Sequence, residues 1–181
     1  MIEKAKQADL LAIIEVIESA RAFLKSQGLD QWQTSAYPSS SDVLSDIEKG
    51  VGYVLRHDGV LVGYAAVITG FEPAYDQLKG AWLTHNRDYV TVHRLAISSQ
   101  VRGQSLGQKL FTDVFETFDA YTDFRVDTHP DNQIMQHILT KLGFEACGIV
   151  MYEGECVAYQ KLISRVSDIG LDKQSGVDSP C

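Results

Sequence analysis

YVTVHRLAIS SQVRGQSLGQ KLFTDVFETF, residues 89 to 118, decides the fold. Its first third alternates. By a period of two, Thr91, His93, Leu95 and Ile97 share one strand face, and Val90, Val92, Arg94 and Ala96 the other. Its last third is helical, with Gly107, Leu110, Phe111, Val114, Phe115 and Phe118 forming one apolar stripe. Between them lies Arg102-Gly103-Gln104-Ser105-Leu106-Gly107. A turn there aims backbone N–H groups outward at the positive end of a helix dipole, which is an anion site suited to phosphate. Gly103 and Gly107 add no side chain to obstruct a ligand.

Two phosphate motifs fail on spacing. A Walker A loop needs GxxxxGK[ST], and Gly103 to Gly107 is one residue short with Lys109 displaced. The GxGxxG dinucleotide fingerprint fails likewise. The stretch instead resembles the R/Q-x-x-G-x-G/A pyrophosphate loop of the GNAT acyltransferase superfamily. There, as here in Leu95-Ala96-Ile97, the loop follows an L-x-V strand end. Ser105 stands where the family has its middle glycine.

Outward from this stretch, Asp9 precedes an amphipathic helix marked by Leu10, Ile13, Ile14, Ile17 and Leu24 and ending near Gly28. Residues 2–7 suit a short first strand, and Asp42 to Lys49 a second helix. Two strands meet at Asp58-Gly59, a strong hairpin signal. A long link follows from Gly70 to Asp88. After the central unit come a strand over Phe124 to His129, a helix capped by Asp131 and closed by Gly143, and a last hairpin through Glu153-Gly154. The order β-α-α-β-β-β-α-β-α-β-β predicts an α/β (α+β) domain. It is also the GNAT order, which implies a mixed, mostly antiparallel sheet of about six to seven strands and about four helices. Asn132 with ILTKLGF, ending at Gly143-Phe144, resembles a second family segment. The expected domain covers residues 1–164, with a polar tail over 165–181.

The chain has 181 residues, enough for one domain, and a net charge of −8 that argues against nucleic acid or an anionic membrane as partner. No apolar run suits a membrane span, and the N-terminus lacks a signal-peptide core. Cys147, Cys156 and Cys181 match no zinc spacing and read as reduced thiols of a cytoplasmic protein without metal. Free strand edges allow a homodimer without demanding one.

The resemblance implies transfer of an acetyl group from acetyl-CoA to an amine, small-molecule or protein-borne, by direct attack in a ternary complex. It assigns the pyrophosphate to Arg102, Gly103, Gln104, Ser105, Leu106, Gly107 and Gln108. It assigns the pantetheine to the backbone of Leu95, Ala96 and Ile97, where two strands splay, and a CoA contact to Asn132. His93 is the expected base, with a near-neutral pKa by type. Some GNAT amine acetyltransferases carry histidine there, and others a glutamate two residues earlier, where this chain has Thr91. His129 is the second candidate, or a turn-holding residue. The family's tyrosine acid falls on Leu139, so Tyr152 or Tyr121 serves, or the thiolate leaves unassisted. That gap favours a rival reading, a catalytically silent acyl-CoA sensor. Trp32, Tyr37, Phe71, Tyr75 and Trp82 are candidate walls for the acceptor or plain packing. Glu72 and Asp76 are candidate partners of its ammonium or solvated loop charges.

Overall fold

The computed structural model describes residues 1–152 and 154–164. The tail expected over 165–181 lies outside them. The chain order is β1 (Glu3–Lys4), α1 (Leu10–Ser26), α2 (Ser40–Glu48), β2 (Gly52–His57), β3 (Val60–Thr69), β4 (Lys79–Gly80), β5 (Val90–Ile97), α3 (Leu106–Thr117), β6 (Asp123–Thr128), α4 (Gln133–Lys141), β7 (Glu145–Met151) and β8 (Glu155–Leu162). One eight-stranded sheet runs β1-β2-β3-β5-β6-β8-β7-β4. The strand count exceeds the expected six to seven because two residues of the long link, Lys79 and Gly80, pair with Ile149 and Gly148. Among the described residues β5–β6 is the parallel pair and the other neighbours are antiparallel.

Local chemistry sets the ends. Asp58 and Gly59 both have positive φ, as a tight hairpin turn requires. α2 starts two residues earlier than the expected Asp42, because Ser39 and Asp42 form a reciprocal capping box. α4 is capped by Asn132 and not by Asp131, since Asn132 Oδ1 accepts the Met135 amide at 3.1 Å.

The sheet has a helix layer on each face. Leu110 and Phe111 of α3 and Leu139 of α4 bury against Val90, Val92, Phe124 and Val126. Burial of each such side chain contributes about 1.5–3 kcal/mol. On the other face Ile13, Ile17 and Val43 pack on Val54, Tyr64 and Ala96.

The period of two breaks inside β5. Tyr64 faces Ala96 while Ala66 faces His93, so two steps on β3 oppose three on β5. The extra residue is Arg94, left-handed at φ 54°, which makes a bulge. Side-chain parity inverts there. Leu95 and Ile97 join Val90 and Val92 against α3 and α4, and Ala96 turns to α1 and α2. His93 therefore lies on the face opposite Leu95 and Ile97, which corrects the alternation read from the sequence. β5 and β6 also part at this point, their ladder running only from Val90↔Phe124 to Val92↔Val126.

Candidate active site

The loop between β5 and α3 has the backbone of an anion cradle. Gly103 has φ 80° and Ser105, the residue before the helix, φ 56° and ψ 23°. Left-handed turns of this kind aim successive amides into one concavity. The conformation explains a glycine at the position of Ser105, since a side chain there costs about 1–2 kcal/mol. The first helical bond runs from Lys109 N to Ser105 O at 3.0 Å. The amides of Leu106, Gly107 and Gln108 thus have no acceptor within the helix. A Cβ on Gly107 would lie 3.3 Å from Ile138 Cδ1, so this glycine also lets α3 approach α4. Arg102 reaches across to α1, its guanidinium 3.0 Å above the Phe23 ring.

A cavity of about 570 Å³ opens from this loop. It runs along Leu95, Ala96 and Ile97 through the gap between β5 and β6 to His93 and His129, and Arg102, Gly103, Ser105, Leu106, Gly107 and Asn132 also border it. Gln104 and Gln108 are not on its wall. The loop before α2 closes one side with Trp32 and Tyr37. Asn132 is committed locally: besides capping α4, its Nδ2 donates to Gln31 Oε1 at 2.8 Å.

His93 is 3 % exposed and sits between two carboxylates. Its Nε2 lies 3.3 Å from Glu72 Oε2 and its Nδ1 3.6 Å from Asp127 Oδ1. The hydrogen bond from His93 holds the Glu72 carboxyl below its ordinary range, against the opposing effect of burial. With Nε2–H donating to Glu72, the Nδ1 of the neutral ring carries the free lone pair. Asp127 Oδ1 is itself fixed by the Tyr75 hydroxyl at 2.7 Å. His129 is arranged differently: its Nδ1 accepts the Asp131 amide at 3.2 Å, which leaves the proton of the neutral ring on Nε2. That geometry makes His129 the acceptor that holds a turn, with its Nε2–H left to donate.

Tyr152 stacks on His93, with ring centroids 4.5 Å apart and planes 13° off parallel. Burial raises its pKa, so the hydroxyl keeps its proton at neutral pH. It meets Tyr37 edge-on, with ring centroids 6.4 Å apart, and the Tyr37 hydroxyl accepts from Arg94 Nη1 at 3.0 Å. Arg94 in turn donates to both oxygens of Asp46, at 2.9 and 2.6 Å. Tyr121 packs with Phe118 away from the cavity, and Leu139 is fully buried in the core. Of the other aromatic candidates, Tyr75 and Trp82 of the link pack on each other in a cluster with Tyr89 and Val150, and Phe71 lies under Arg87 at the surface. Asp76 pairs loosely with Arg87, at 3.7 Å. Asp127, Arg94 and Asp46 escaped the sequence reading. Arg94 carried the one available signal, a charged residue in an otherwise apolar strand.

Residues 15–144 match the family described as Acetyltransferase (GNAT) family. A crystal structure of a GNAT-family acetyltransferase from Streptococcus agalactiae is 43% identical, with a TM-score of 0.87 over 91% of this chain and 96% of that one. The uncharacterized N-acetyltransferase YesJ of Bacillus subtilis is 24% identical over 83% of this chain and 87% of its own. A GNAT-family structure from Listeria monocytogenes shares the fold at 19% identity, with a TM-score of 0.69 over 90% of this chain and 94% of that one.

Proposed function

The chain belongs to the GNAT acetyltransferase family, and on that premise we propose that it moves the acetyl group of acetyl-CoA to a primary amine by direct attack in a ternary complex. The observation that carries this reading is the single cavity joining the left-handed loop at Gly103 and Ser105 to His93. The residues present fit CoA. Amides of the 102–108 loop would hold the pyrophosphate, and Arg102 is a cation at the cradle's edge. Backbone groups of β5 beyond Val92, freed where β6 parts from it, would hold the pantetheine arm.

His93 is the proposed base. The ammonium of the acceptor gives one proton to Nδ1, and the imidazolium so formed lies between Glu72 and Asp127, which both favour its charge. The freed lone pair attacks the thioester carbon, forming the C–N bond. As the adduct collapses the C–S bond breaks and the thiolate takes a proton from the Tyr152 hydroxyl, while the nitrogen's second proton passes to the Tyr152 oxygen so vacated, so that the one net proton stays on His93. Tyr152, protonated and on the cavity wall, is thus the proposed acid. Its position offers an acid in place of Leu139, and so supports turnover over a silent acyl-CoA sensor. We take residues 1–164 as one catalytic domain acting in the cytoplasm; no helix of the described residues is long and apolar enough to cross a membrane.

Release of CoA, read with a thiol reagent across a broad set of amines, tests the proposal. Amine-dependent release is expected. Tight acetyl-CoA binding with no release on any amine would establish the sensor instead.

A further inference from the structure

We propose that the acceptor is a small cationic amine that carries no carboxylate, as opposed to a free amino acid. The inference rests on the acetyl-transfer reading above and concerns the acceptor end of the same cavity. Its basis is a count of charge from every element packed there. The link after β3 brings Glu72, and β6 brings Asp127, both on His93. The loop before α2 brings Asp30 to the cavity wall. Among the described residues the arginines on that wall are Arg94 and Arg102, and no lysine borders it.

Neither arginine is placed to receive an acceptor's carboxylate. Arg94 spends Nε and Nη2 on Asp46 and Nη1 on Tyr37. Its side chain is 10% and that of Asp46 4% exposed, so the guanidinium is committed to a buried pair. Arg102 lies at the other end of the cavity, stacked on Phe23 beside the anion loop. An acceptor ammonium next to His93 thus approaches Asp127 on the cavity wall, with Glu72 across the ring, whereas a carboxylate on the carbon that bears the ammonium is repelled by both. Trp32, Tyr37 and Tyr152 add aromatic walls, which suit an apolar or cationic body.

The test compares kcat/KM, with acetyl-CoA saturating, for tyramine, tyrosinamide and tyrosine, and for agmatine, argininamide and arginine. The amides keep the bulk of the amino acids and remove only their negative charge. At least one amine–amide pair is expected to exceed its amino acid tenfold or more, equal to about 1.4 kcal/mol. The Asp127→Asn variant, slower overall, is expected to narrow that ratio. Amino acids turned over within tenfold of their amides would overturn the inference and leave acetyl transfer intact. CoA release on none of the six compounds or any other amine would overturn both together.

Discussion

Asp46→Ala should cost the protein about 3–5 kcal/mol, the usual penalty for leaving one member of a buried ion pair uncompensated. The structure gives the reasons. Asp46 accepts Arg94 Nε at 2.9 Å and Nη2 at 2.6 Å, and the Tyr64 hydroxyl at 2.6 Å. The partner guanidinium sits on a left-handed bulge residue, and its side chain is only 10% exposed. For a chain of this size the loss corresponds to a fall in Tm of roughly 6–20 °C, at about 2–4 °C per kcal/mol. Urea denaturation and calorimetry would measure it. The double substitution Asp46→Leu with Arg94→Met removes both charges, and should recover at least half of the lost stability, because replacing both members of such a pair is often neutral. It should not recover turnover, since Tyr37 loses its donor and Tyr152 its fixed neighbour; kcat is expected to stay at least about tenfold down, roughly 1.4 kcal/mol. A loss below about 1 kcal/mol for Asp46→Ala, the level of an exposed pair, would refute the reasoning. So would wild-type kcat in the double variant.

Ser105→Gly should stabilise the fold by up to about 1 kcal/mol by relieving the left-handed serine. Its acetyl-CoA affinity should stay within about twofold, and a larger loss by calorimetry would make the hydroxyl a ligand. His93→Ala should lower kcat/KM by roughly 10²–10⁴, most toward pH 6, where the acceptor ammonium is hardest to deprotonate; an equal loss from about pH 6 to 9 removes His93 as the base. Glu72 is held below its ordinary value of 4.5 in the fold. Its contribution to stability is therefore full above that value and disappears as pH falls through the lower folded value. Glu72→Gln should flatten this acid limb of the stability curve, and an unchanged limb would detach Glu72 from His93.

Much of the fold was legible because its signals are local. The apolar stripe of α3, the Asp58-Gly59 turn and the glycine-bearing loop each declare themselves within a few residues. The eighth strand was not, since Lys79 and Gly80 become a strand only by pairing with β7, far along the chain. The bulge at Arg94 defeated the alternation for a related reason. It brings the guanidinium onto Asp46 of α2, a tertiary contact for which a strict period of two contains no term. The site divides the same way. The loop from Arg102 to Gly107 reads from spacing, and His93 from its residue type. Asp127, at a distance of 34 residues from His93, joins it only because β5 and β6 are neighbours. Tyr152 reaches the histidine from the final hairpin, and no spacing rule connects the two.

The most direct measurement is a crystal structure of the protein with acetyl-CoA. The account predicts the pyrophosphate within hydrogen-bond distance of the amides between Gly103 and Gln108, and the thioester lying in the gap between β5 and β6, on the His93 side of Leu95. A nucleotide bound elsewhere, with those amides facing only water, would contradict it.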